Sequence, residues 1–122
     1  LRDNHIELAH QILFDLGSDH IDEEHSQTVL RDLLALIQAN PRIRRVRIEG
    51  HTDRQGSASR NLDLSNRRAA AVAAYLRSHG IANVTFEPQG LGQTQLLCQE
   101  DTEACHERNR RVEFTVLEMA PQ

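Results

Sequence analysis

Apolar and polar positions along the chain divide it into alternating strand-like and helix-like stretches. In residues 5–14, Ile6, Leu8, Ile12 and Phe14 share one face at a period of two, which predicts a strand. Turn chemistry fills residues 15–20. Over residues 22–39, Val29, Leu30, Leu33, Leu34 and Ile37 recur at helical spacing, and Asn40-Pro41 closes the segment. Val46 and Ile48 then alternate with charged residues over 44–49, a second strand that stops at Gly50. Residues 51–60 are polar, with Gly56 and two serines, and read as a loop opening a second helix that runs to about His79 and meets Gly80. Val84 and Phe86 mark a third strand ending near Pro88. After a long loop, Val112, Phe114 and Val116 mark a fourth. Four one-sided strands and two amphipathic helices bury one core if both helices cover the same face of a mixed sheet. The expected fold is α+β: a two-layer α/β sandwich of order β-α-β-α-β-β, with a four-stranded mixed sheet and helices on one face, formed by residues 1–122 as a single domain.

Composition narrows the function classes. The chain has 122 residues, 39% hydrophobic and 26% charged, so disorder is not expected. No run approaches the ~18 apolar residues of a membrane span, and Leu1 opens no signal-peptide pattern. Any export signal or membrane anchor is therefore expected outside this fragment. The formal charge is −4, and every one of the 14 basic residues is arginine. Arginine's planar fork suits carboxylate and phosphate. Clusters at 42–47 and 108–111 raise a nucleic-acid surface, but the acidic net charge and only four aromatics (Phe14, Tyr75, Phe86, Phe114) argue against a base-stacking platform. No nucleic-acid partner is expected. Cys98 and Cys105 flank six residues, and their spacing alone leaves a disulfide and free thiols both open. Zinc would want more ligands than the adjacent His106.

One residue breaks the pattern. In the second helix, Leu64, Ala71, Val72, Tyr75 and Leu76 form an apolar stripe at about 100° per residue, and Arg68 falls at its centre. An unpartnered buried guanidinium costs several kcal/mol, so Arg68 must sit near the open end of the core or meet an acidic group. Asp53, in the loop that feeds this helix, can reach the same side of the sheet. Two readings remain open at this point. Either the two form a plain buried pair that orients the loop, or they are held apart so that a ligand completes both. A zwitterionic amino-acid centre complements the second arrangement, its ammonium on Asp53 and its carboxylate forked onto Arg68.

The run Gly50-His51-Thr52-Asp53, with Gly56, Asn61, Leu64-Ser65, Arg68-Ala69, Val72, Tyr75-Leu76, Gly80, Gly90 and Asn109-Arg110-Arg111-Val112-Glu113, resembles the OmpA-like C-terminal domain family. The likeness covers nearly the whole chain and includes Leu13-Phe14-Asp15. It implies non-covalent binding of peptidoglycan in the periplasm through the diaminopimelate of the stem peptide, with Asp53 and Arg68 as the ligand clamp. It also implies supporting or lining roles for Thr52 and Asn61, a peptide or glycan contact for Arg110, and a place for Asp15 at the border of the site. Some members carry a cysteine pair in the variable loop before the last strand, which implies a Cys98–Cys105 disulfide and an oxidising compartment. Arg60 and the run Gly90-Leu91-Gly92-Gln93 depart from the family pattern without touching the clamp.

Rival classes are a metal-dependent hydrolase and a protein-interaction module of a Pal-type or MotB-type envelope complex. His51 and Asp53 can be read as two metal ligands. The remaining histidines form no His-Glu-x-x-His helix, and no nucleophile elbow or phosphate loop occurs. The expectation is a binding module with no catalytic residue, cofactor or metal. Its partners are peptidoglycan and, as a second class, other envelope proteins, with a membrane involved only through a segment outside the fragment.

Overall fold

A computed structural model describes residues 4–121. Its elements are β1 (His5–Ile6), α1 (Gln27–Ala39), β2 (Ile43–His51), α2 (Ala58–Ser78), β3 (Thr85–Gly92), α3 (Glu103–Asn109) and β4 (Arg111–Met119). They build a four-stranded mixed sheet of order β1-β4-β2-β3. β2 pairs with β3 in parallel, with Val46 opposite Phe86, and with β4 in antiparallel, with Ile48 opposite Phe114. The α+β class and the mixed sheet are as expected, with one helix more than the pattern predicts.

A single core joins both long helices to the sheet. Val29, Leu30, Leu33 and Ile37 from α1 and Val72 and Leu76 from α2 pack with Val46, Ile48 and Phe114. α2 approaches the sheet closely at two glycines. A Cβ at Gly50 would overlap the Ser65 carbonyl, and one at Gly90 would overlap the Asn66 backbone nitrogen. Polar contacts fix the same approach: Gly90 N donates to Asn66 Oδ1 at 2.7 Å and Gly92 N to Ser65 Oγ at 2.9 Å. These contacts set the first half of α2 over the C-terminal ends of β2 and β3.

That closeness corrects the expected face of α2. Its buried residues are Ser65, Ala69, Val72, Ala73 and Leu76, while Leu64, Ala71 and Tyr75 are half-buried. Small side chains take the centre because the backbone of α2 lies almost on the strands, and the bulkier Leu64 and Tyr75 pack at the flank. Arg68 therefore borders the buried face and is half-exposed rather than central.

Three other expectations change. The strand over residues 5–14 shrinks to β1, which pairs only His5 and Ile6 with β4. Ile12 is still buried, but it reaches the core from an irregular segment: period-two apolarity requires burial, not a partner strand. Phe14 instead bridges Ile21 in a small ribbon closed by Asp22 N to Leu13 O at 2.8 Å, with Gly17 at φ 66° in its turn. α1 begins at Gln27, later than expected, since the Ser26 hydroxyl accepts from Leu13 N at 2.9 Å instead of capping the helix. β3 continues past Pro88 to Gly92, because an edge strand tolerates a residue without an N–H.

The long loop holds α3. Thr102 caps it by accepting from Cys105 N at 3.2 Å. The Cys98–Cys105 disulfide is formed, with its Cα atoms 5.9 Å apart. Asn109 is fully buried and ties the segment down, accepting from Leu97 N at 2.7 Å and donating to Cys98 O at 3.0 Å.

Candidate binding site

A cleft of about 730 Å³ opens where β2 ends. Gly50, Thr52 and Asp53 form its floor, Asn61, Leu64 and Arg68 of α2 one wall, and Glu103, Glu107 and Arg110 the opposite wall. Leu13, Phe14 and Leu16 close a third side.

Asp53 is only 7% exposed, and each of its two carboxylate oxygens accepts one hydrogen bond. Oδ1 accepts from Gln55 N at 2.8 Å, an Asx-turn contact, and Oδ2 accepts from Arg110 Nη1 at 2.8 Å. Arg110 also reaches Glu103 through Nη2, so one guanidinium bridges two carboxylates across the floor of the cleft. Hydrogen bonding to Glu103 and Asp53 holds the Arg110 pKa above its ordinary value against the opposing, and individually largest, effect of burial.

Arg68 is held differently. Its Nε donates to Ser18 O at 2.8 Å, and its guanidinium carbon lies 4.8 Å from the centre of the Phe14 ring, a cation–π contact. Among the described residues this Nε bond is its only hydrogen bond, and no carboxylate lies within ion-pair distance of it. Burial, then the charges of Arg110 and Arg67, pull the Arg68 pKa down, while Asp19 and Asp53 oppose that fall. Asp53 and Arg68 thus face one cleft without pairing with each other. The carboxylate's partner is Arg110.

Thr52 and Asn61 shape the loop between them. Thr52 is buried, with its N donating to Gly92 O at 2.9 Å and Oγ1 to Asp53 O at 2.9 Å. Asn61 Nδ2 donates to Gln55 O at 2.9 Å and to Gln93 Oε1 at 2.8 Å, which ties the turn after Asp53 and the end of β3 to α2. Asp15 lies apart. It is exposed, takes His20 Nδ1 at 2.8 Å, and is not among the residues lining the cleft. His51 does not combine with Asp53 as a pair of metal ligands. Its Nε2 faces Glu113 Oε2 at 3.3 Å and Glu49 Oε1 at 3.8 Å, and burial, then the charge of Arg111, pulls its pKa down.

The profile of the OmpA family matches residues 13–110. The chain belongs to the OmpA family. It is 35% identical over 109 residues to the outer-membrane lipoprotein YfiB of Pseudomonas aeruginosa, an alignment covering 89% of this chain and 64% of that protein. To the peptidoglycan-associated lipoprotein of Brucella melitensis it is 33% identical over 112 residues, covering 92% of this chain and 65% of that one. The chain thus spans just under two thirds of the length of either relative. The crystal structure of the peptidoglycan-associated lipoprotein from Burkholderia pseudomallei matches it with a TM-score of 0.75 at 28% identity, covering 94% of this chain and 97% of that one.

In this OmpA-family chain, Asp53, Arg68 and Arg110 all fall inside the matched stretch. Sequence reasoning missed Gln55, Glu103 and Glu107 as parts of the site. The polar run at 99–104 carries no helical periodicity, so α3 and its two glutamates leave no signal beyond Thr102 as a cap three residues before Cys105.

Proposed function

We propose that residues 1–122 act as one periplasmic module that binds bacterial peptidoglycan without catalysis and holds an outer-membrane or envelope protein to the wall. Peptidoglycan association comes into this reading from the name of the lipoproteins that the chain resembles. The ligand is the diaminopimelate of a stem peptide, whose free amino-acid centre presents an ammonium and a carboxylate together.

The observation that carries this reading is the unshared charge of Arg68. A ring and a backbone carbonyl hold the guanidinium in place while leaving its terminal nitrogens to fork onto a carboxylate. Asp53, fixed by Gln55 and Arg110, receives the ammonium, and Arg110 keeps that carboxylate aimed as the ligand arrives. Charge-assisted bonds of this kind contribute roughly 1.5–3 kcal/mol each. Against the freedom lost on binding, they give dissociation constants of about 1 µM to 1 mM for a single stem peptide. Retention on the polymer then comes from avidity.

Calorimetric titration with a diaminopimelate muropeptide, beside a lysine-type muropeptide, tests it. The lysine form lacks the carboxylate assigned to Arg68 and should bind at least about tenfold more weakly. Equal affinity for both would remove Arg68 from the mechanism. Release of soluble fragments from sacculi by the purified protein would overturn the non-catalytic reading.

A further inference from the structure

The sheet carries a second group of chemically apt side chains on the face turned away from α2. Gly50 faces α2, so its neighbours Glu49 and His51 point to the other face, where the register sets Glu49 opposite Glu113 and His51 opposite Arg111. The His51 side chain is 0% exposed, and neither ring nitrogen makes a hydrogen bond. Buried imidazole nitrogens are seldom left so, because each loses its hydration without replacement.

We propose that Glu49, His51 and Glu113 form a binding site for a divalent transition-metal ion, zinc fitting best, with solvent completing the coordination shell. Zinc bonds of about 2.0–2.2 Å in a tetrahedron place neighbouring donors about 3.3–3.6 Å apart. His51 Nε2 lies 3.3 Å from Glu113 Oε2 and 3.8 Å from Glu49 Oε1, and one donor atom from each of the three residues lies within 4.8 Å of the others. The imidazole selects zinc or copper over magnesium or calcium, which take oxygen ligands. Outer partners are already in place: Arg47 Nε meets Glu49 Oε2 at 3.0 Å and Arg111 Nε meets Glu113 Oε2 at 3.1 Å, orienting both carboxylates. Glu113 supplies the way in. It is 37% exposed and lines a recess of about 290 Å³ that opens where β1 ends at Ile6. This site departs from the metal-free expectation of the sequence; it shares His51 with the lining of the cleft, while Glu49 and Glu113 lie outside that lining and the muropeptide reading uses none of the three.

Zinc chloride titrated into the protein, followed by the imidazole nitrogen resonances of His51, decides the matter. A large shift of Nε2 saturating at one equivalent is expected, with Glu49→Gln and Glu113→Gln each weakening zinc by about tenfold or more. Circular dichroism reports whether each variant is folded, and muropeptide affinity should stay unchanged in both. The proposal fails if Nε2 does not move with zinc at roughly 1 mM. It fails equally if either folded variant binds zinc as tightly as the parent, since the exposed histidines would then be holding the ion.

Discussion

Arg68 stands on a 21-residue helix laid directly on the sheet, whereas Glu103 and Arg110 flank the cleft from the first residue of a seven-residue helix and the residue just after it, and that helix does not share the main core. The first wall is held by packing. Ser65, Ala69 and Ala73 let the α2 backbone approach Gly50 and Gly90, so many contacts determine where Arg68 sits. The second wall is held by a few staples: one disulfide, the buried Asn109 amide, and the Arg110 bridge between Asp53 and Glu103. A packed wall resists displacement until the fold itself gives way. A stapled wall can be loosened one link at a time, which lets position and chemistry be separated by mutation.

The largest effect should come from the packed side. Gly90→Val places its Cβ against the Asn66 backbone, an overlap that no rotamer relieves, and should cost roughly 3 kcal/mol or more. Thermal unfolding should fall by about 10 °C. A melting temperature within about 2 °C of the parent would show that α2 is less tightly seated than its contacts indicate. Next come the charges of the cleft. Arg68→Ala and Asp53→Ala should each weaken diaminopimelate muropeptide binding by roughly 10- to 100-fold, and Arg68→Lys, which loses the fork, should be impaired as well. Asp53→Ala also leaves Arg110 with Glu103 alone, so of the two alanine variants it should lose more stability. Sacculus pull-down and calorimetry check the binding, and denaturant unfolding checks the stability.

How far the sequence discloses each wall follows the same division. β2, α2 and β4 are legible because their residues alternate or recur with the period of the element, and burial follows that period. The face of α2 is less legible. Volume-weighted apolarity puts Arg68 at the centre of a stripe, while the backbone approach that favours Ser65 and Ala69 depends on Gly50 and Gly90 in other elements. β1 and α3 elude periodicity because a two-residue pairing and a seven-residue helix are shorter than the patterns that reveal them. In the cleft, Asp53 and Arg68 can be brought together from their places at strand end and helix start. The Arg110 bridge and the Glu49–His51–Glu113 group depend on pairing register between β2 and β4, which no local spacing encodes.

Loosening the stapled wall gives the next effect. Cys98→Ser with Cys105→Ser should lower stability by at most about 2.5 kcal/mol, the chain-entropy value for so short a loop. Muropeptide binding should weaken by less than in Arg68→Ala, because Asn109 and Arg110 still hold α3. A loss as large as that of Arg68→Ala would mean that the disulfide, not the polar staples, positions Arg110. Denaturant unfolding and calorimetry on the same sample separate the two outcomes.

The smallest effect belongs to the third side of the cleft, where Asp22 contributes a carboxylate steadied by His25 Nδ1 at 2.8 Å. A backbone hydrogen bond and then a side-chain hydrogen bond from His25 lower the Asp22 pKa, and the Asp22 side-chain bond raises that of His25. The stabilisation tied to His25 is fully present below its unfolded value of about 6.5 and is lost as pH rises through its higher folded value. That tied to Asp22 is present above its unfolded value of about 3.9 and is lost as pH falls through its lower folded value. The charged pair therefore exists between those two folded values and dissolves on either side. His25 is exposed and Asp22 only half-buried, so the folded state should gain little from it. Following the His25 ring protons by NMR from acid to mild alkali should give a midpoint above about 6.5 in the parent, falling back towards that value in Asp22→Asn. An unmoved midpoint would mean that solvent, rather than His25, balances the Asp22 carboxylate at the edge of the cleft.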